Sequence, residues 1–431
     1  MTWQNWAGTA TATPARRYWP RTVDAIADAV RDAAKAGLTV RALGSGHSFT
    51  PAAATAGVAV DLSGWTGVVT ADAPAGLVTV RSGTTLRQLN AELTALGLAM
   101  PNLGDIDAQT ISGAISTGTH GTGAGLGGLA TQVEALELVT ADGSLIKVSA
   151  AEDPDLFAAA RISIGALGVI ATVTLRCVPA FRLTADERPM PLEEVVERFD
   201  ELAAGNDHFE FYWFPYGRNA LVKRNNRGVV NGGSPMPGWR RFLEYEVMEN
   251  AAFGALCRTG RAVPSLVRPL GKVAAATLSP RSYSADSHQV FVTPRRVRFV
   301  ESEYALPRES VLDVLAELRA AVPRLAQPVM FPVEIRVAAA DDIWLSTAYG
   351  RDTAYIAIHQ YAGMPYQEYF AVFESIAGAV GGRPHWGKMH TLGAGRLGTL
   401  YPKFADFLRV RDQADPDRRF ANPYLEQVLG G

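Results

Sequence analysis

The chain has 431 residues, 48% hydrophobic and 19% charged, and 41 Lys and Arg against 43 Asp and Glu leave a formal charge of −2. That balance excludes an intrinsically disordered chain and a dominant basic face for nucleic acid. At roughly 150 residues per domain, the length predicts two or three domains.

Met1 to Arg21 hold no apolar stretch of signal-peptide length, and no window approaches the about 18 consecutive apolar residues of a membrane span. A cytoplasmic chain is therefore expected. Cys177 and Cys257 stand far apart without a second pair, so they read as small buried hydrophobes rather than as a disulfide framework or a zinc site.

Along the first 180 or so residues, helix and strand signals alternate. Thr22 caps a predicted helix with apolar positions Val23, Ile26, Val30 and Ala33, and Gly37 ends it. Leu38–Leu43 reads as a short buried strand, and Val58–Asp61 and Val78–Arg81 as two more. Thr85 and Gln88 form a capping box ahead of the stripe Leu86, Leu89, Leu93 and Leu96. Val133–Val139 and Leu145–Val148 flank Asp142-Gly143, a hairpin signal. Val169–Cys177 alternates like a strand, and Pro179 closes the block.

From 180 to 390 the composition shifts toward aromatics and Arg. Strands are predicted at Phe209–Phe214, Val297–Tyr304, Val333–Val337 and Tyr355–His359, and helices at Leu192–Leu202 and Ser310–Ala321. This mixture predicts an antiparallel α+β region. Gly232–Arg281 has weak periodicity and supports no assignment, and the last 40 or so residues return to short helical pieces.

Two glycine-rich loops stand out among the 41 glycines. Gly44-Ser45-Gly46-His47-Ser48-Phe49 follows a strand, yet Phe49 and Pro51 stand where a dinucleotide fingerprint needs a third glycine and a helix. What remains is a tight turn with free N–H groups and one imidazole, able to approach a phosphate or a flavin closely. The second loop, Asn102 to Gly128, sets Ile111, Ala114, Ile115 and His120 among glycines and hydroxyls. Backbone wrapped around an anionic cofactor explains that mixture, and an ordered structural loop is the alternative.

Taken in this order, the loops resemble those of the FAD-linked oxidoreductases of the vanillyl-alcohol oxidase type, within them the sugar-1,4-lactone and alditol oxidases. The likeness runs over essentially the whole chain: Gly44–Thr50, Pro101–Gly123, Ile164–Val169, Glu334–Arg336 and Arg383–Lys388, with further support in His208–Pro215 and Ser346–Asp352. It implies an α+β, two-domain FAD-binding (PCMH-type) fold. The FAD-binding domain would span 1–179 and an antiparallel-sheet substrate cap 180–389, with 390–431 returning to the FAD domain. The cofactor implied is FAD, bonded covalently through His47. The alternative is a His47 that hydrogen-bonds in a turn beside non-covalent FAD. Gly44, Ser45, Gly46, Ser48, Gly104, Ser112, Gly113, Ser116, Thr117, Gly118, His120, Gly121 and Val169 fall on the family's other cofactor-binding positions.

Glu334 and Arg336 are one residue apart in a strand pattern, so both side chains face one space while Val333, Ile335 and Val337 face the other way. A surface ion pair would read the same. The resemblance assigns Glu334 and Arg336 to substrate hydroxyls and Lys388 to the reacting centre and the flavin. His359 and Asp105 stand where alditol oxidases carry hydroxyl side chains, which favours a lactone pocket; His359 is a candidate base and both are candidate substrate contacts. The resemblance places Gly104 over the flavin edge, where a glycine permits access of oxygen without deciding the electron acceptor. The reaction implied is hydride transfer from C2 of an aldono-1,4-lactone, of the L-gulono-1,4-lactone type, to flavin N5. The product would be a 2-keto-lactone that tautomerises to ascorbate, with oxygen or another acceptor taking the electrons. Oxidation of xylitol or sorbitol to an aldose with hydrogen peroxide is the alternative. A monomer or homo-oligomer without metal or nucleic-acid partner is expected.

Overall fold

The computed structural model describes residues 2–228 and 234–431. Thr22 caps helix Val23–Lys35, whose Ile26, Val30 and Ala33 are fully buried. The helix lies beside a three-stranded parallel sheet in which Val58–Asp61 pairs with both Arg16–Tyr18 and Val40–Leu43. The first predicted strand thus begins at Val40. A five-stranded antiparallel sheet follows, in the order Leu145–Ser149, Val133–Val139, Val169–Arg176, Leu77–Arg81 and Val68–Asp72. Its first two strands form the hairpin predicted at Asp142-Gly143, with Gly143 at φ 79°. The Thr85–Gln88 capping box starts helix Leu86–Ala95.

The second region is built on an eight-stranded antiparallel sheet. Its order is Arg281–Asp286, Arg182–Pro191, Asn219–Arg227, His208–Trp213, Val333–Ala338, Thr353–Tyr361, Phe299–Pro307 and Arg383–Pro384. One face is apolar and packs Phe209, Phe211, Ile335 and Ile356 under helices Val311–Ala321 and Gln367–Ala379. The other face carries charged side chains, yet it is buried as well. An antiparallel sheet with one apolar face ordinarily turns its polar face to water, so this burial marks the site.

Leu192–Leu202, expected as one helix, is two: Leu192–Glu197 and Phe199–Ala204, broken where Arg198 leaves helical geometry at ψ 15°. In the unassigned stretch, Gly232 and Gly233 lie outside the described residues, and 238–276 is helical except at Val263. It includes a π-helical run, Phe242–Ala252, whose wider turn blurs the ordinary helical period. Near the C-terminus, Val40 N–H donates to the Arg419 carbonyl at 2.7 Å, and Asn422 Nδ2 donates to the carbonyls of Pro51, Ala52 and Ala54. Both cysteines are buried and free. Burial pushes the Cys177 thiol up to about 11 and the Cys257 thiol up to about 12. Among the described residues no helix is long and apolar enough to cross a membrane.

Candidate active site

Two cavities of about 860 and 940 Å³ adjoin at His47 and Ser48. The first is walled by Gly44–Ser48, helix Ile111–Ser116 and the turn at Ile164–Gly165. Among the described residues, the N–H groups of Ser45, Gly46, His47 and Ser48 have no protein acceptor. Gly46 is left-handed at φ 70°, and a Cβ on Gly44 would lie 2.5 Å from Thr110 Oγ1. No Asp or Glu lines this cavity, whereas Arg41 does. Its buried guanidinium donates to the carbonyls of Gly165, Phe420 and Ile164 and to no carboxylate; burial lowers it only to about 10, so it stays a cation. Four unpaired N–H groups beside a cation make a cradle for a diphosphate. These residues fit FAD.

The second cavity lies between that loop and the buried polar face of the large sheet. Strand pairing sets the array: Glu210 stands opposite Arg336, Tyr212 opposite Glu334, and Glu301 opposite His359. Arg336 reaches Glu334 at 2.5 Å, Glu210 at 2.8 Å and Asp105 at 3.8 Å. Tyr212 donates to Glu334 at 2.7 Å, Lys223 lies 3.4 Å from Glu210, and Arg295 pairs with Asp105 at 2.6 Å. Three carboxylates thus meet three cations, as burial demands. Burial raises the Glu334 carboxyl, Asp105 and Glu210 add to the rise, and Arg336 opposes it. For Asp105 burial acts upward too, but Arg295 and Arg336 outweigh it and hold the carboxyl well below its usual range.

A second cluster occupies the far end. Lys388 is in contact with Glu301 and lies 3.8 Å from Glu303. Burial alone would lower the Lys388 ammonium; the two carboxylates outweigh it and raise it. His120 donates from Nδ1 to the Gly121 carbonyl at 2.9 Å, and its Nε2 stands 2.5 Å from Glu303. His359 donates from Nδ1 to the Pro332 carbonyl at 3.1 Å, leaving Nε2 3.4 Å from Glu301. His385 accepts at Nδ1 from Gly387 N–H, and burial lowers it to about 4. Ligand atoms of His120, Glu303 and His385 lie within 4.8 Å of one another, a metal-like grouping whose imidazole nitrogens are largely taken up by these bonds.

A family model described as D-arabinono-1,4-lactone oxidase matches residues 173–428, and one described as an FAD binding domain matches 14–149. The chain belongs to the D-arabinono-1,4-lactone oxidase family. It is 44% identical over 428 residues to the L-gulono-1,4-lactone dehydrogenase of Mycobacterium tuberculosis, with 99% of both chains covered. It is 33% identical to the L-gulonolactone oxidase of Mus musculus, covering 99% of this chain and 98% of that one. Its fold matches the cholesterol oxidase of B. sterolicum at a TM-score of 0.82 and 17% identity, covering 99% and 96% of the two chains. The expected α+β, PCMH-type FAD-binding fold is therefore present, and the protein is an FAD-dependent oxidoreductase acting on CH–OH groups.

In this family member the structure gathers Asp105, Glu334, Arg336, His359 and Lys388 into one cavity with His47, Gly104 and His120. Gly44, Ser45, Gly46, Ser112, Gly113 and Ser116 line the first cavity; Ser48 and Thr117 line both. Gly118, Gly121 and Val169 line neither. A Cβ on Gly121 would strike Asn102 Oδ1 and the Leu103 carbonyl at 2.3 Å, a close crossing of two chain segments, and Val169 is buried in the five-stranded sheet. Glu210, Tyr212, Lys223, Arg295, Glu301, Glu303 and His385 were not anticipated. The spacing that exposed Glu334 and Arg336 also pairs Glu210 with Tyr212 and Glu301 with Glu303, each pair two apart in an apolar strand.

Proposed function

We propose that this chain oxidises the C2 hydroxyl of an aldono-1,4-lactone of the L-gulono-1,4-lactone type, with FAD bonded through His47. The observation that carries this reading is the meeting of His47, Glu334, Arg336, His359 and Lys388 in one buried cavity. FAD, when bound, accepts the hydride at N5. The chain's own groups bind, orient and deprotonate. Glu334, held by Arg336 and Tyr212, accepts from substrate hydroxyls, and Arg336 donates to them. His359, whose Nδ1 donates to the Pro332 carbonyl and whose Nε2 lies 3.4 Å from Glu301, is the group placed to take the C2 hydroxyl proton. Lys388 is the cation that balances negative charge gained during transfer.

Asp105 supports a lactone over an alditol, because Arg295 and Arg336 hold it as a fixed carboxylate where a hydroxyl would serve a polyol chain. His47 supports the covalent link: it lies between the two cavities with no side-chain hydrogen bond among the described residues, and burial, then the Lys388 charge, lower its pKa and favour the neutral nucleophilic ring. We further infer an FAD domain over 1–179 that the segment 390–431 completes, a cap over 180–389, and a cytoplasmic location. Anaerobic addition of L-gulono-1,4-lactone should bleach the visible flavin band while xylitol leaves it. Bleaching by xylitol alone, or by neither, overturns the substrate reading. Acid precipitation should leave the yellow colour in the pellet, and colour wholly in the supernatant overturns the covalent link.

A further inference from the structure

Residues 238–276 form an outer layer of helices: the unbroken run Gly238–Ala262 and, after Pro264, Val267–Ala276. Cys257 and Val267 anchor the layer against Phe299, Met330 and Phe331. Its outward face is the unusual one. Leu243, Met248, Ala252 and Ala255 are exposed, and each stands two positions ahead of a buried residue, Tyr245, Asn250, Gly254 and Cys257 in turn. Two positions are about half a helical turn, so this apolar stripe points directly away from the protein. A surface helix ordinarily turns charged and polar residues that way. Among the described residues eleven large apolar side chains are exposed, and seven of them fall in this layer, from Trp239 at 71% to Val273 at 56%. Singly scattered exposed apolar residues are ordinary, but such a concentration on one layer marks a contact surface.

The charge of the layer says what covers it. The segment holds six Arg and Lys against three Glu, in a chain whose formal charge is −2. All three Glu are taken by arginines outside the segment: Glu244 and Glu249 by Arg281 at 3.7 and 2.9 Å, and Glu246 by Arg296 at 2.6 Å. Arg258, Arg261, Arg268 and Lys272 are exposed and have no carboxylate partner among the described residues. Arg258 follows Ala255 by one turn and Lys272 adjoins Val273, so free cations border the apolar surface. We propose that residues 238–276 dock this protein on an anionic lipid bilayer, lying on the surface without spanning it. The apolar side chains enter the boundary between headgroups and acyl chains, and the cations meet lipid phosphates. A second copy of the chain would instead set this cationic face against its own like charge. Docking is separate from lactone oxidation, because Trp239, Leu243, Met248, Arg258 and Lys272 line neither the cofactor cavity nor the substrate cavity.

The test is co-sedimentation of the holoenzyme with sucrose-loaded vesicles, either of phosphatidylcholine alone or of phosphatidylglycerol and phosphatidylcholine in equal parts. The protein should pellet with the phosphatidylglycerol vesicles at about 50 mM salt. It should stay in solution with phosphatidylcholine, and at about 500 mM salt, where exposed charge is screened. Arg258→Glu with Lys272→Glu should weaken binding about tenfold or more. Trp239→Ser with Leu243→Ser and Met248→Ser should weaken it about as much. All five positions are exposed, so the thermal midpoint of both variants should stay within about 3 °C of wild type. Failure of the wild-type protein to pellet with phosphatidylglycerol vesicles overturns the proposal, as does binding that either variant retains in full. A dimer in sedimentation equilibrium that the serine variant dissociates, without vesicle binding, gives the face to a second copy and overturns it as well.

Discussion

Glu334 and Arg336, two positions apart on one strand, hold each other at 2.5 Å inside the cavity, and the same guanidinium answers Glu210 at 2.8 Å and Asp105 at 3.8 Å. One cation therefore offsets a share of three buried carboxylates. Arg336→Leu should abolish lactone oxidation and destabilise the fold by about 3–5 kcal/mol, the usual cost of leaving buried charge unpaired. Urea unfolding followed by circular dichroism reads the second effect. A variant as stable as wild type contradicts the ionic array described above.

The acid limb of stability belongs to the same array. Burial acts to raise Glu301, Glu303 and Asp105; Lys388 outweighs it at Glu301, His120 at Glu303 and Arg295 at Asp105, so all three carboxyls end below their ordinary range. A carboxyl depressed in the folded state contributes stability above its unfolded pKa of about 4 and loses it as pH falls through the folded value. The thermal midpoint should therefore change little down to about pH 5 and drop below about pH 4. Glu303→Gln should flatten that drop. An acid limb identical to wild type contradicts the assignment.

Lys388 stands on Glu301 and Glu303 and over the Phe49 ring at 5.2 Å. Lys388→Met should slow anaerobic bleaching by lactone about 100-fold, the scale of losing one well-placed electrostatic partner. Lys388→Arg should recover part of the rate. A Met variant that bleaches at the wild-type rate removes Lys388 from the reaction.

Gly44 sets how closely the cofactor loop approaches helix Ile111–Ser116. A Cβ there meets Thr110 Oγ1 at 2.5 Å, and Thr110 caps that helix through Gly113 N–H. Gly44→Ala should cost about 1–3 kcal/mol and lower the FAD content per chain. The ratio of flavin to protein absorbance checks it, and full occupancy contradicts the cradle.

Local signals in the sequence carried the N-terminal elements. Thr85 with Gln88 starts a helix because two orphan N–H groups find side-chain partners within one turn, and Asp142-Gly143 closes a hairpin because Gly143 takes a positive φ at no cost. Glu334 and Arg336 were legible because period two puts them on one face. Glu301 and Glu303 obey the same period, but charged-apolar alternation ordinarily describes a solvated sheet face, and only tertiary contact with the loop holding His120 shows that theirs is buried. Arg295 and Lys223 lie on segments with no motif at all. Helix 242–252 hid because its π-type turns break the 3.6 period by which helices are read.

The most direct test is a single anaerobic turnover with L-gulono-1,4-lactone deuterated at C2. The deuterated lactone should bleach the flavin band several-fold more slowly than the unlabelled one, and the product should carry no deuterium at C2. Equal rates with deuterium retained at C2 of the product would contradict oxidation at that carbon.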